Sequence, residues 1–144
     1  NLISMSNDAV DNNATITVIE GKPYLTLNFK PMHALMTWGA LERFWVYDGK
    51  TPAEAYARTS QIEAEYDDYF SYDEETGIVR DPTGEPEKDR PGKVTVPMPY
   101  MGDSNDYNKL YCHVFVDAME KLGENLGNQD VICFIKYSYR FCSF

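Results

Sequence analysis

The sequence predicts an all-β fold, an antiparallel sandwich or barrel of seven or eight strands. Three observations carry that. Hydrophobic alternation of period two brackets a turn near the start of the chain, over 14–19 and 24–30, and recurs in a second hairpin over 110–117 and 131–139. Helical signals amount to one or two turns. No strand–helix–strand spacing of the kind that builds a parallel sheet is present.

At 144 residues, with 43% hydrophobic and 14% aromatic content, the chain reads as a single domain, 1–144, with enough apolar side chain for a core. There is no internal repeat and no shift in composition that marks a second domain. The formal charge of −10 disfavours nucleic acid and anionic membrane surfaces as partners. No apolar run is long enough to span a membrane, so no membrane insertion of this domain is expected. The chain lacks a charged-then-apolar leader and begins as an excised domain would.

Residues 4–10, Ser-Met-Ser-Asn-Asp-Ala-Val, favour caps and short turns over helix or strand, and they hold a methionine with no obvious core to enter. In the first hairpin Thr15, Thr17 and Ile19 alternate with Ile16 and Val18, and Gly21-Lys22-Pro23 makes the turn. Residues 31–38 read as a loop, and Leu41–Tyr47 as an aromatic strand ended by Asp48-Gly49. Thr51-Pro52-Ala53-Glu54 is a capping box with proline at the first helical position, and it predicts a helix near 52–57. In 60–67 the parity of Ser60, Ile62, Ala64 and Tyr66 predicts one strand.

Residues 67–92 are acidic and punctuated by Gly and Pro. They read as a long surface excursion with a small hairpin around Gly77. Lys93–Met98 is a strand, placed at a sheet edge because of Pro97. In the last hairpin Leu110, Cys112, Val114 and Val116 form one face, and Tyr111, His113 and Phe115 the other. Asp117-Ala118-Met119 ends that strand, 120–130 reads as a Gly- and Asn-rich loop, and the return strand begins apolar on both faces.

Enzymatic chemistry has little support. No G-x-S-x-G or other nucleophile signature exists, and the domain is read as non-enzymatic. His33 and His113 are the only histidines. A loop position suits the first, and a hydrogen-bonded, half-exposed strand position the second. Cys112, Cys133 and Cys142 contain no C-x-x-C, which argues against zinc. Cys112 and Cys133 read as small buried hydrophobes, and an odd count leaves the disulfide pairing open. Of six methionines, Met32, Met36 and Met98 have core or loop explanations. Met5 and Met119 stand where a sandwich does not need them. A thioether is far more often packing than a ligand, although it is a known axial ligand of haem iron.

The run Ser4–Val10, then Ala14–Val18, Gly21-Lys22, Tyr24–Met32, Trp38–Leu41, Val46–Gly49, Val94–Pro97, His113–Glu120 and Val131–Ile135, resembles a NEAT (near iron transporter) domain over most of the chain apart from 67–92. The resemblance implies an immunoglobulin-like β-sandwich with a short 3₁₀ lip. It also implies a place in a secreted, cell-wall-attached haem-acquisition protein of a Gram-positive bacterium. Haem would sit between the lip at 4–10 and the last hairpin. Tyrosinate-ligating members carry Tyr-x-x-x-Tyr at the start of the last strand. This chain has Leu126-Gly127-Asn128-Gln129-Asp130 there, and its Tyr107 and Tyr111 precede the hairpin. The resemblance is therefore to members that use a methionine pair, with Met5 and Met119 as iron ligands and Ser4 and Ser6 holding a propionate.

Three functions fit these residues. The first is a haem-binding module that receives haem from haemoglobin or another haem-carrying domain and passes it on. The second is a NEAT module that binds a haemoprotein or host protein with little haem affinity, using Tyr66, Tyr69, Phe70 and Tyr72 of the excursion. The third is a carbohydrate-binding sandwich with Trp38 and Trp45 as stacking platforms.

Overall fold

The computed structural model describes residues 9–11, 14–34, 36–48, 52–98, 102–103, 108–123 and 126–135. These residues form an all-β sandwich of antiparallel sheets. In chain order the strands are β1 (Thr15–Ile19), β2 (Lys22–Asn28), β3 (Met32–Ala34), β4 (Thr37–Gly39), β5 (Leu41–Tyr47), β6 (Gln61–Glu63), β7 (Glu65–Asp67), β8 (Ser71–Tyr72), β9 (Val79–Arg80), β10 (Lys93–Pro97), β11 (Gly102–Asp103), β12 (Asn108–Val116) and β13 (Asn128–Ile135). Two short helices, α1 (Pro52–Ala57) and α2 (Asp117–Leu122), complete the order.

One sheet runs β1-β2-β10-β7. In the other, β12 is central, flanked by β13 on one side and by β5 and β11 on the other, with β6 beyond β5. Alternation does the sorting. Leu25 and Leu27 from β2, Val94 and Val96 from β10, Phe44 and Val46 from β5, and Leu110, Cys112 and Val114 from β12 all point into the space between the sheets and pack as one core. Burial of this apolar area is the main favourable term in folding. The outer face of the β12 sheet is covered in part by α1, where Ala55 packs with Tyr47 and Tyr111. Both predicted faces of β12 are thus used, the apolar one for the core and the aromatic one under a helix.

The strand expected over 60–67 is divided between the sheets. β6 ladders on β5, β7 ladders on β10, and Ala64 between them donates its N–H to the Phe44 carbonyl at 2.9 Å. The inward parity of Ile62, Ala64 and Tyr66 holds through the crossing. Residues 31–38 are a hairpin and not a loop: Met32 pairs with Gly39, His33 with Trp38 and Ala34 with Thr37. Three-residue strands are too short for a period to register. β10 is an interior strand and not an edge. Pro97 is tolerated because β7 pairs only with Lys93–Thr95, so past Thr95 that flank of β10 needs no donor.

The stretch after β12 is helix before it is loop. Asp117-Ala-Met-Glu-Lys-Leu consists largely of good helix formers, with Asp117 and Glu120 in the first turn. β13 begins at Asn128, three residues before the expected start. Only its inner side chains are sheltered: Ile132 and Phe134 lie on the outer face, 39% and 57% exposed. Residues 136–139 of the expected strand lie outside the described residues.

Candidate functional site

Met119 is the third residue of α2, so it belongs to a helix and does not end the preceding strand. Ser4, Met5 and Ser6 lie outside the described residues. Residues 9–11 and 117–118 are described, and a short structural path joins these two stretches.

At the N-terminal end, Val10 bridges to Phe29, Asp11 donates its N–H to the Asn28 carbonyl at 2.9 Å, and the Ala9 carbonyl accepts from the Lys30 N–H at 2.9 Å. Ala9 and Met32, both buried, form a small apolar cluster with Phe29. Met32 pairs across the hairpin with Gly39. Gly39 meets α2 so closely that an added Cβ would lie 2.3 Å from the Ala118 Cβ. That contact requires glycine, since a methyl group would overlap a carbon it cannot displace. The path Ala9–Met32–Gly39–Ala118 begins four residues beyond Met5 and ends one before Met119.

Asp117 fixes α2 on this ground. Its Oδ1 accepts the Ala40 N–H at 2.8 Å and the Ala118 N–H, and its own N–H donates to the Ala40 carbonyl at 3.2 Å. Its Oδ2 accepts Arg90 Nε at 2.8 Å and the Tyr72 hydroxyl at 2.7 Å. Asp117 and Arg90 are 8% and 9% exposed, so the pair is buried and fully partnered, which a buried charge requires. Arg90 also reaches Glu42 Oε1 at 2.8 Å and the Asp89 carbonyl at 2.9 Å. Burial, and then the hydrogen bond to Asp117, push the Tyr72 phenol far above its ordinary range, so it remains a donor. At the far end of α2, Gly127 donates its N–H to Glu120 Oε2 at 3.0 Å and its carbonyl accepts the Val116 N–H at 3.0 Å. A Cβ on Gly127 would sit 2.6 Å from the Val116 carbonyl oxygen.

Arg90 and Tyr72 belong to the 67–92 excursion, which is therefore fastened to α2. The expected hairpin around Gly77 is present as β8 and β9. Gly77, at φ +73°, packs under Trp38, whose ring atoms would lie 2.3–2.6 Å from an added Cβ. The Trp38 N–H also donates to the Glu74 carbonyl at 3.2 Å. Three of the four aromatics expected to form an exposed contact surface are turned onto the body. The Tyr66 hydroxyl accepts the Phe44 N–H at 2.8 Å, Phe70 is buried and bridges Arg90, and Tyr72 holds Asp117. Tyr69 remains exposed. Two clefts of about 320 and 510 Å³ flank Arg90; Arg80 pairs with Asp73 in the first, and Arg90 with Glu42 and Arg43 with Glu63 in the second.

The outer face of the last hairpin carries a second network. Asp130 accepts from the Tyr47 hydroxyl and from Arg58 at 2.9 Å, and it lies 2.9 Å from His113 Nδ1. His113 Nε2 is 3.1 Å from Asn128 Oδ1, and its ring lies 5.4 Å from that of Trp45, which Arg43 covers at 4.6 Å. This is the hydrogen-bonded, half-exposed histidine expected. The Arg43 guanidinium occupies a face of Trp45 that a sugar would need. Burial alone would raise the Asp130 carboxyl. The bonds from Tyr47, His113 and Arg58, with the Arg58 charge, outweigh it and hold the group below the ordinary carboxylate range.

Met32 and Met98 are buried, as expected of packing residues, and Met36 is 95% exposed. Among the described residues no group of three or more His, Cys, Asp and Glu side chains forms a metal site, and no helix is long and apolar enough to cross a membrane. Arg90 and Asp117 went unrecognised in the sequence. The signal available was weak: a lone acid at the junction of an apolar strand and a helix-forming run. Comparison with known protein families, with characterised proteins and with solved structures finds no match.

Proposed function

We propose that this domain is a non-enzymatic haem-binding module of the NEAT type, part of a bacterial surface protein that takes haem from haemoglobin or another haem-carrying domain and passes it on. Met5 and Met119 are the axial ligands, and Ser4 and Ser6 hold a propionate. The observation that supports this best is the path Ala9–Met32–Gly39–Ala118, which links Ala9, four residues after Met5, and Ala118, one before Met119, through one short hairpin. Two strands of a hairpin lie about 4.8 Å apart, so Ala9 and Ala118 contact neighbouring strands of that hairpin. The all-β sandwich of antiparallel sheets agrees with an immunoglobulin-like frame. Neutral thioethers are soft ligands that favour ferrous iron and permit exchange, as a carrier needs.

Visible absorption of the purified domain, titrated with haem, tests this. The expected result is a saturable band at one haem per chain, lost in Met119→Ala and in Met5→Ala while both variants keep the far-ultraviolet circular dichroism of the parent. A protein that stays colourless with excess haem overturns the proposal.

A second reading, a NEAT module that binds a haemoprotein or host protein and has little haem affinity, draws on exposed Ile132 and Phe134 on the outer face of β13. Retained binding of haemoglobin by a domain that ignores free haem, lost in Phe134→Ser, would favour it.

A further inference from the structure

β12 and β13 form the last hairpin, and each contributes one cysteine to its inner side. In the register Cys112 faces Val131 and Cys133 faces Leu110, so the two cysteines are diagonal neighbours on the same face. Their Sγ atoms are 3.8 Å apart, and both are free thiols. A disulfide needs about 2.05 Å between sulfurs. On that diagonal the Cα atoms lie roughly 7–8 Å apart, so closing the bridge takes a local shift of the two strands together with rotation about χ1. The two thiols differ in environment. Cys112 is fully buried, with its Sγ 3.5 Å from the Leu110 carbonyl oxygen, whereas Cys133 is partly exposed.

We propose that Cys112 and Cys133 are a covalent modification site: they are oxidised to an intramolecular disulfide that staples β12 to β13 and leaves Cys142 as the odd thiol. The oxidant is a disulfide compound or a disulfide-carrying oxidoreductase. Cys133 reacts first. It loses its proton, its thiolate attacks one sulfur of the oxidant, and the other sulfur leaves as a thiolate. Cys112 then loses its proton and attacks Cys133 Sγ, and the second oxidant sulfur leaves. Two protein thiols have given up two electrons and two protons, and the oxidant disulfide has become two thiols. Burial pushes the Cys112 thiol up, while its hydrogen bond to Cys133 draws the Cys133 thiol down, which agrees with that order. The crosslink closes a loop that contains α2, and so the segment bearing Met119, without touching the haem reading itself.

The test is a disulfide map. The chain, unfolded and reduced, is refolded in a buffer of reduced and oxidised glutathione, alkylated and cut with trypsin without reduction. The cleavage pattern places the cysteines in separate peptides, 110–121, 122–136 and 141–144. The expected result is a covalent 110–121/122–136 pair and an intact mass lower by two hydrogens after removal of any glutathione on Cys142. Cys142→Ser keeps the crosslink, and Cys133→Ser abolishes it. Folding is checked by circular dichroism of Cys112→Ala, which removes the crosslink with a minimal change in size. Recovery of 110–121 and 122–136 as separate alkylated peptides, or of 141–144 joined to either, overturns the proposal.

Discussion

The Arg90–Asp117 pair is the contact on which the placement of α2 depends most, and Arg90→Ala measures it. The substitution removes the 2.8 Å bond from Nε to Asp117, the 2.8 Å contact with Glu42 and the 2.9 Å bond to the Asp89 carbonyl. It leaves the Asp117 carboxylate buried, still served by the Ala40 and Ala118 amides and the Tyr72 hydroxyl. Breaking a buried pair on one side costs roughly 3–5 kcal/mol. Three surviving donors put this case at the lower end, about 3 kcal/mol, out of a typical total of roughly 5–15 kcal/mol. With a urea slope of about 1.5 kcal/mol/M, the unfolding midpoint falls by about 2 M. Tryptophan fluorescence in a urea titration reads this, with Trp38 and Trp45 as reporters. Arg90→Lys should recover only part, because a point ammonium cannot serve Asp117 and Glu42 as a planar fork does. The double variant with Asp117→Asn should cost less than the two singles summed, since the stranded charge is gone. A midpoint shift below about 0.5 M, or strict additivity in the cycle, would refute the reasoning.

Gly39→Ala should force α2 off β4, because the new methyl lands 2.3 Å from the Ala118 Cβ. About 1–3 kcal/mol of overpacking cost in thermal or urea melts is expected, together with weakened haem uptake in the same titration. Gly77→Ala meets two penalties, φ of +73° and the Trp38 ring, and should shift Trp38 fluorescence while leaving β12 and β13 amide exchange unchanged. Asp130→Asn addresses acid stability. A carboxyl held below its unfolded value near 4 contributes stability that is present above about pH 4 and is lost as the pH falls through the folded value. The variant should therefore be less stable at neutral pH, with a flatter acid limb in a pH series of urea midpoints. An unchanged limb would remove Asp130 from the account.

The long strands were legible because alternation over seven or more residues records which face is buried. β5 and α1 occur at the residues that the aromatic run and the capping box specify. Short elements left too few positions to read, so β3 and β4 passed for a loop and β6 with β7 for one strand. α2 was masked by the Gly and Asn residues that follow it. The proline at 97 misled because its cost depends on how far β7 extends along β10, a length set by the excursion and not by β10 itself. The Arg90–Asp117 contact spans 27 residues and no local pattern encodes it. Of the candidate site, Met119 acquired a helix, while Arg90, Tyr72 and Asp117, which hold that helix, emerged only in three dimensions.

The crossing at Ala64 has a mechanical consequence. β6 and β7 are consecutive stretches of one backbone, laddered to opposite sheets with a single residue between them. They act as a pin against shear, because sliding one sheet past the other would break both ladders together. Splaying the sheets at the far flank, where β1 and β13 are the outermost described strands, breaks neither. Among the described strands, β6 and β7 thus tie the two sheets along one flank, and β1 and β13 are not joined in that way.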